Sequence, residues 1–216
     1  MKKSITYFMV TVTIIGMLCI WPGHVITRTV ITKAAACDYY VSGPVQNSVI
    51  YEQEFIPQYP YLKNIALQIS RDGTFQHGAE GSIIISLYDA QGELVTQKES
   101  RVSDIVNKRY QIFEIDTKVV PGDLCRYTIE GRGCESQGPS VRYGEQVRIG
   151  LKENQRILVS GEEIPGYSTV AEYEYRAPLN WVDILVYDAW IVTIAGLCYT
   201  VIAQFRGRFD RDHKEQ

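Results

Sequence analysis

Side chains that could perform catalysis are sparse in this chain. The three histidines, His24, His77 and His213, stand far apart in the sequence, and the His-Glu-x-x-His, Gly-x-Ser-x-Gly and glycine-rich phosphate-loop patterns of common enzymes are missing. Glu172 and Glu174 form a carboxylate pair of the kind that glycosidases use as acid and base. Residues two apart on a strand share one face, however, so this pair is more typical of a solvated surface. The sequence therefore predicts that the protein is not an enzyme.

The nearest approach to a metal-binding pattern is the segment Asp72-Gly73-Thr74, with His77 and Glu80 beyond it. Its oxygens suit calcium, but calcium takes about six or more oxygen ligands. The pattern therefore favours a solvated loop, and we predict neither a metal nor a cofactor.

A long apolar segment near the C-terminus determines how the chain is organised. Between Ile184 and Phe205 one charged residue occurs, Asp188. A helix of this length crosses roughly 30 Å of hydrocarbon at about 1.5 Å per residue, so residues 182–205 are predicted to span a membrane. A carboxylate inside a span is costly. We expect Asp188 to reach water at the membrane edge, or to pair with His24, with Arg28 or with a partner protein.

A second apolar segment, residues 5–26, follows two lysines at the N-terminus. A signal peptide and a retained span share this pattern. The small residues before Cys37 resemble a cleavage or lipoprotein site, but charged residues separate them from the apolar run. We therefore expect a retained span, with the basic ends, residues 1–4 and 206–216, in the cytoplasm of a plasma-membrane protein.

Small residues recur along both apolar segments. In a bilayer they let two helix backbones approach closely, which drives association. We predict that the two spans pack on these faces, with Asp188 near His24; the alternatives are that the second face meets a different protein, or that the small residues are incidental. The stripes are Thr6, Thr13, Gly16 and Gly23 in the first segment, and Ala189, Thr193, Gly196, Thr200 and Ala203 in the second.

Between the apolar segments the chain has the pattern of an all-β domain. Short alternating stretches bounded by glycine and proline favour an antiparallel β-sandwich over residues 46–176, outside the cytoplasm. Asp89-Ala90-Gln91-Gly92 predicts the tight turn of a hairpin. Residues 27–45 lack periodicity and are predicted to form a stalk. Strands are expected at 46–55, 62–70, 81–96 (the hairpin), 110–115, 124–130, 146–151, 156–159 and 170–175.

Part of this pattern resembles a known class of domain. The stretches Gln53-x-Phe55, Gly81-x-Ile83-x-Ile85-x-Leu87-x-Asp89-x-x-Gly92 and Pro121-Gly122-x-x-Cys125-x-Tyr127-x-Ile129 resemble the jelly-roll ectodomains of bacterial membrane proteins, which are similar to galactose-binding-like and carbohydrate-binding modules. The resemblance implies a jelly-roll-like sandwich of the cell envelope, with sugar binding as an expectation. It lies in core and turn positions, which specify a fold and not a ligand.

Four residues are candidates for a binding face because they alternate with the apolar positions of their strands. They are Gln68, Tyr88, Arg126 and Glu130. Sugar sites combine aromatic rings with nearby amides and charged groups. The alternative is an ordinary solvated sheet.

The cysteines and the charge pattern complete the expectations. Cys125 and Cys134 form a possible disulfide, or remain free thiols. The chain has a net charge of −3, and the region between the apolar segments has no basic patch, so nucleic acid is not an expected partner. We expect a membrane-anchored module that binds or presents a cell-surface polysaccharide or its precursor; the alternative is a non-catalytic accessory subunit of a membrane transporter or glycosyltransferase complex, assembled through its spans.

Overall fold

The computed structural model describes residues 2–20, 26–70, 81–106, 109–134, 139–146 and 156–212. In these segments it has two α-helices, α1 (Lys2–Ile20) and α2 (Trp181–Asp212), and between them lie the strands and a short 3-10 helix (Val102–Asp104). The chain divides into two compact units. The helical unit comprises Met1–Arg28 and Pro178–Gln216, and the β unit comprises Thr29–Ala177.

The strands are short, and most are separated by turns. They are β1 (Thr27–Lys33), β2 (Ala35–Pro44), β3 (Ile50–Phe55), β4 (Tyr61–Ser70), β5 (Ser82–Tyr88), β6 (Leu94–Arg101), β7 (Arg109–Lys118), β8 (Cys125–Arg132), β9 (Ser140–Gln146), β10 (Ile157–Val159), β11 (Glu162–Ile164), β12 (Tyr167–Thr169) and β13 (Ala171–Pro178).

Two antiparallel sheets make up the β unit. The seven-stranded sheet has the order β1-β13-β4-β9-β12, with β7 pairing with β4 and β2 with β9. The six-stranded sheet has the order β11-β10-β3-β8-β5-β6. The prediction of an all-β domain built from antiparallel sheets is therefore confirmed.

Aromatic side chains from both sheets meet in the core. Alternation along β3 and β13 turns every second residue inward. The ring of Phe55 stacks on that of Tyr173, with centroids 4.8 Å apart, and Tyr127 meets both rings edge-on at 5.7 and 6.3 Å. Such pairs contribute about 0.5–1.5 kcal/mol each beyond the area they bury.

The core also contains a polar cluster that connects the two sheets. Gln53 of β3 is fully buried. Its Oε1 accepts a hydrogen bond from the Thr169 amide at 2.7 Å, and its Nε2 donates to the Glu54 carbonyl at 2.7 Å. The Thr169 hydroxyl lies 2.5 Å from that of Tyr127. Because buried polar groups are costly without partners, these bonds fix how β3 faces β12.

The predicted hairpin is present, with β5 and β6 as its strands. Asp89 Oδ1 accepts hydrogen bonds from the amides of Gln91 at 3.0 Å and Glu93 at 2.9 Å. Gly92 has φ +81, a conformation that favours glycine. The turn chemistry read from the sequence is therefore confirmed.

The predicted stalk over residues 27–45 is wrong, because these residues form β1 and β2. Ser168 Oγ donates to the Ala34 carbonyl at 2.6 Å, and the Tyr51 hydroxyl donates to the Pro44 carbonyl at 3.0 Å. The exposed and half-buried positions of β1 do alternate. Ile31 is at an exposed position and Arg28 at a half-buried one. Because the apolar residues of β1 are not the buried ones, its sequence lacks the alternation of apolar and polar residues that predicts a strand.

Helix α2 contains the segment Trp181–Phe205, which is long and apolar enough to cross a membrane. Its first turn is closed by a reciprocal cap. Asn180 Oδ1 accepts from the Asp183 amide at 2.7 Å, and Asp183 Oδ2 accepts from the Asn180 amide at 3.3 Å. The apolar part of α1 among the described residues, Thr6–Ile20, is shorter.

The two helices contact each other through a face of α2 that the sequence did not predict. Gly16 of α1 faces α2, and the Ile191 side chain lies 3.4 Å from where a Gly16 Cβ would stand. Thr13 lines a cavity between the helices together with Ala195. A Cβ at Gly196 would meet nothing within 4 Å. Thr13 and Gly16 of the α1 stripe therefore lie at the contact, and Gly23 falls outside the described residues. The prediction for the α2 stripe is wrong, because a large side chain of α2 fills the space beside Gly16.

The other residues proposed for helix pairing lie outside this contact or outside the described residues. Thr193 and Thr200 are exposed and donate hydrogen bonds within their own helix, at 2.7 and 2.8 Å. Asp188 Oδ1 is shielded from solvent and has no hydrogen-bond partner in the part of the chain that the structure describes. Arg28 lies 3.8 Å from Asp183 and not beside Asp188. His24 falls outside the described residues, so its pairing with Asp188 stays a prediction.

Candidate ligand-binding site

A cavity of about 300 Å³ opens in the β unit beside the turn that joins β5 to β6 and the connection between β7 and β8. We call it the end cavity. Its polar lining consists of Tyr88, Asp89, Gln91, Lys118, Asp123 and Cys125, and its aliphatic lining includes Val95, Val119 and Val120.

Backbone hydrogen bonds hold both connections around the end cavity. The turn after β5 is closed by the Asp89 carboxylate. In the connection after β7, the Val119 amide donates to the Pro60 carbonyl at 3.1 Å, and the Gly122 amide donates to the Pro57 carbonyl at 3.0 Å. Gly122 has φ +93, which a larger residue adopts only with strain. The cavity wall is therefore preformed, as is usual for ligand sites.

The carboxylates of the end cavity act on the buried thiol in its lining. Cys125 is 4% exposed. Burial, together with the nearby charges of Asp123 and Asp89, raises its pKa to about 11. The thiol therefore stays protonated at neutral pH.

Charges around the end cavity differ from those on the sheet surfaces. Among the described residues, Asp89, Lys118 and Asp123 make no ion pair. On the sheets, by contrast, several carboxylates are paired, as in Arg156 with Glu54 at 2.7 Å. The polar groups of the cavity are therefore available to a ligand.

Exposed aliphatic side chains border the same cavity. Val120 is 61% exposed and Val95 is 38% exposed, and both line the cavity. Leu94 and Leu124, each next in sequence to a lining residue, are exposed as well. The cavity thus combines polar groups with an apolar border, which is the usual composition of a small-ligand site.

Two of the four predicted binding residues are brought together beside the end cavity. Tyr88 of β5 and Arg126 of β8 are directly opposite each other in neighbouring strands. The Arg126 guanidinium lies 5.0 Å from the centroid of the Tyr88 ring, and its Nη1 donates to Glu52 Oε2 at 2.8 Å. Tyr88 also lines the cavity, so it connects the cavity with the outer surface of the six-stranded sheet.

The other two predicted residues lie elsewhere. Glu130 is four residues beyond Arg126 along β8, which corresponds to about 13 Å, and it accepts a hydrogen bond from Thr128 at 3.4 Å. Gln68 belongs to β4 of the other sheet, where it pairs with Tyr110. The expectation that all four residues share one face is wrong. Alternation along a strand shows which side chains point away from the core, but it does not reveal which of the two sheets the strand joins.

The carboxylate pair considered for catalysis is engaged by lysines. Glu172 lies 3.3 Å from Lys33, and Glu174 lies 2.7 Å from Lys63. The hydrogen bond from Lys63, assisted by one from Asn64, lowers the pKa of Glu174. This arrangement fits the solvated, ion-paired face that the strand period predicts.

Of the two alternatives for Cys125 and Cys134, a disulfide or free thiols, the structure has the free thiols. Cys125 begins β8 and Cys134 follows its end at Arg132. A strand of this length separates them by more than ~20 Å, whereas disulfide-bonded Cα atoms lie within about 7 Å. Their nearness in sequence suggested a bridge that an extended strand forbids.

No group of three or more histidine, cysteine, aspartate or glutamate side chains that could hold a metal occurs within the described residues. The segment 72–80 and all three histidines lie outside them. A comparison with protein-family models finds none that matches the chain, and a comparison with curated proteins finds no similar sequence.

The sequence interpretation missed most of the end cavity. It treated Asp89 as a turn residue, and it gave no role to Asp123 or Lys118. The signal available was two turn sequences, each carrying an aspartate: Asp89-Ala90-Gln91-Gly92 and Pro121-Gly122-Asp123. Only the pairing of β5 with β8 brings them together.

Proposed function

We propose that this chain is a membrane-anchored binding module whose end cavity holds a sugar residue of a cell-surface polysaccharide or of its precursor. The observation that carries the proposal is a preformed cavity whose polar groups, Gln91, Lys118 and Asp123, are not engaged by other charged side chains of the described residues. Such groups are available to bind hydroxyls.

The dimensions and the chemistry of the cavity support a small hydroxylated ligand. A volume of about 300 Å³ is at the lower end of the range for ligand pockets, which suits one or two sugar rings. Carboxylate and amide oxygens accept hydrogen bonds from hydroxyls, and the Lys118 ammonium donates them. The Tyr88 ring and the valines provide apolar contact for the C–H faces of a sugar.

The anchoring is proposed from the helices. Helix α2 provides an apolar segment of sufficient length, and the arginines that follow it favour a cytoplasmic C-terminus by the positive-inside rule. We propose that α1 is a second span and that the β unit, a jelly-roll-like sandwich, lies outside the cytoplasm of a bacterial plasma membrane.

Calorimetric binding measurements on the unmodified chain and on two variants test this function. The full chain, purified in a mild detergent, should bind a neutral or amino-containing cell-wall oligosaccharide by calorimetry, and Tyr88→Ala should abolish binding. Glu130→Gln is the matched control, since it lies away from the cavity on the same sheet. Binding that survives Tyr88→Ala, or no binding to any envelope glycan, would refute the proposal.

The anchoring is tested separately, in cells. A single cysteine introduced at Ala90 should react with a membrane-impermeant maleimide, whereas one introduced near the C-terminus should not. Labelling of the C-terminal site alone would overturn the proposed orientation.

A second candidate is an accessory subunit of a membrane enzyme or transporter. It is favoured by the open space around Gly196 and by the exposure of Thr193, since that face of α2 does not meet α1. Crosslinking from position 193 to a second membrane protein, in the absence of any glycan binding, would favour this candidate over the first.

A further inference from the structure

Resting on the anchoring in the proposed function, we infer that one end of the β unit docks on the lipid surface through four exposed aliphatic side chains. They are Leu94, Val95, Val120 and Leu124, and we call them the aliphatic tip. The partner is a phospholipid bilayer, the one that α2 is proposed to cross.

The register of the seven-stranded sheet places the connection after β7 at the end where the chain leaves the β unit. Leu62 of β4 pairs with Tyr175 of β13 on one side and with Thr117 of β7 on the other. Neighbouring strands lie about 4.8 Å apart, so the ends of β7 and β13 are roughly 10 Å apart. The connection that carries Val120 and Leu124 therefore begins beside the last residues of β13.

The turn that joins β5 to β6 lies at the same end, since it lines the end cavity together with the connection after β7. Leu94 and Val95 are the first two residues of β6 after this turn. Strand β1, which pairs with β13, also begins here, because just after it the Ala34 amide donates to the carbonyl of Ala171, the first residue of β13. Both segments that link the β unit to the helices therefore leave from the end that carries the aliphatic tip.

The link from β13 to the apolar segment of α2 is short. Two residues separate Pro178, the last residue of β13, from Trp181, where the apolar segment begins. Three Cα steps reach at most about 11 Å. When α2 crosses a bilayer, this link holds the end of β13 at the bilayer surface, and the neighbouring connections are held there with it.

The exposure and the charges of this end favour contact through apolar side chains. Leu94 and Val120 are each more than half exposed, and clustered exposed aliphatic groups are typical of an interaction site. Residues 89–93 and 118–124 contain three acidic side chains and one lysine, whereas attraction to anionic lipid needs basic clusters. The aliphatic tip therefore supplies the attraction, by burial at the boundary between headgroups and acyl chains.

The test maps which residues touch lipid. The full chain is reconstituted in phosphatidylcholine vesicles that contain a phospholipid with a photoactivatable diazirine near its headgroup, and mass spectrometry locates the lipid adducts after irradiation. We expect adducts on all four residues of the aliphatic tip as well as on α2.

Two similarly exposed aliphatic residues away from the tip are matched controls. Val106 lies on the connection between β6 and β7, at the opposite end of these strands, and Ile112 lies six residues before Lys118, the last residue of β7, which corresponds to about 20 Å. Neither control residue should carry an adduct.

Variants then test whether the aliphatic side chains cause the contact. Each such side chain withdrawn from lipid costs about tenfold in partition, so Leu94→Asp together with Val120→Asp should shift the docking equilibrium by about a hundredfold and remove the adducts at Val95 and Leu124. Val106→Asp together with Ile112→Asp should leave those adducts unchanged. Circular dichroism should show that both double variants are folded.

Each other outcome has a definite meaning. Adducts on α2 with none on the aliphatic tip would overturn the lipid contact and leave the anchoring intact. Equal labelling of Val106 or Ile112 would overturn it as well, since the contact would not be specific to this end. Adducts at the tip that appear only when phosphatidylglycerol replaces phosphatidylcholine would contradict docking through apolar side chains. A chain without adducts on α2 would refute the anchoring itself.

Discussion

The buried amide of Gln53 provides a sharp test of how the two sheets are held together. Replacing it with methionine preserves the length of the side chain and removes both of its polar ends. The Thr169 amide then loses the acceptor 2.7 Å away, and the Glu54 carbonyl loses a donor at the same distance. A second bond from Nε2, to the Arg156 carbonyl at 3.3 Å, is lost as well.

The expected cost follows from the backbone groups left behind. A buried group that loses its partner costs about 1–3 kcal/mol. Arg156 also accepts from the Glu54 amide at 2.9 Å, so its carbonyl stays satisfied. The Thr169 amide and the Glu54 carbonyl together give a loss of about 3 kcal/mol. For a chain of this size, that lowers Tm by about 6–12 °C.

The assay is guanidinium unfolding of the full chain in detergent, followed by circular dichroism in the β region. Gln58→Met is the matched control, because Gln58 is exposed and its side chain makes no hydrogen bond to the other described residues. It should change the free energy of unfolding by less than about 0.5 kcal/mol. Equal losses for the two variants would show that the Gln53 cluster does not connect the sheets.

Three further predictions concern pH, the extent of the domain and the helix contact. Burial raises the pKa of Tyr127 to about 12 from its ordinary 10.0. Because tyrosine in the unfolded chain ionises at the lower pH, this contribution to stability is present below pH 10 and is lost as the pH rises through 12. The absorbance of tyrosinate at 295 nm should therefore rise together with unfolding, and a rise while the protein is still folded would contradict the burial of Tyr127. A soluble fragment of residues 27–178 should give a cooperative unfolding transition, whereas 46–176, which lacks β1 and β2, should not; equal stability would mean that those strands contribute nothing. In a cysteine-crosslinking assay between the helices, Gly16→Leu should reduce crosslinking because Ile191 occupies the space beside Gly16. Gly196→Leu should leave crosslinking unchanged. The reverse result would contradict the helix contact described above.

Local patterns in the sequence predicted local structure well. The hairpin around Asp89 and Gly92 follows from turn chemistry that operates within a few residues, and the inward residues of β4 and β8 follow from alternation. Gly16 was assigned to the helix contact because a small residue in an apolar helix has few other uses.

Features that depend on long-range pairing could not be predicted. Gln68 and Tyr88 both face outward, but they belong to different sheets, and no property of either strand reveals this. The half-buried residues of β1 include an arginine, so the hydrophobic pattern of the sequence gives no sign that β1 pairs with β13. The end cavity arises where two loops meet, and its residues are far apart in the sequence.

The distance along the chain between partners in the core has a consequence for how the protein is made. Gln53 and Thr169 are separated by 116 residues, and β4, an early strand, pairs with β13, the last. Contacts of such long sequence separation slow folding, because a large loop must close before they form. During synthesis the early strands therefore emerge without the partners that complete their core. Their unpaired edges remain open to aggregation until the segment just before α2 has appeared.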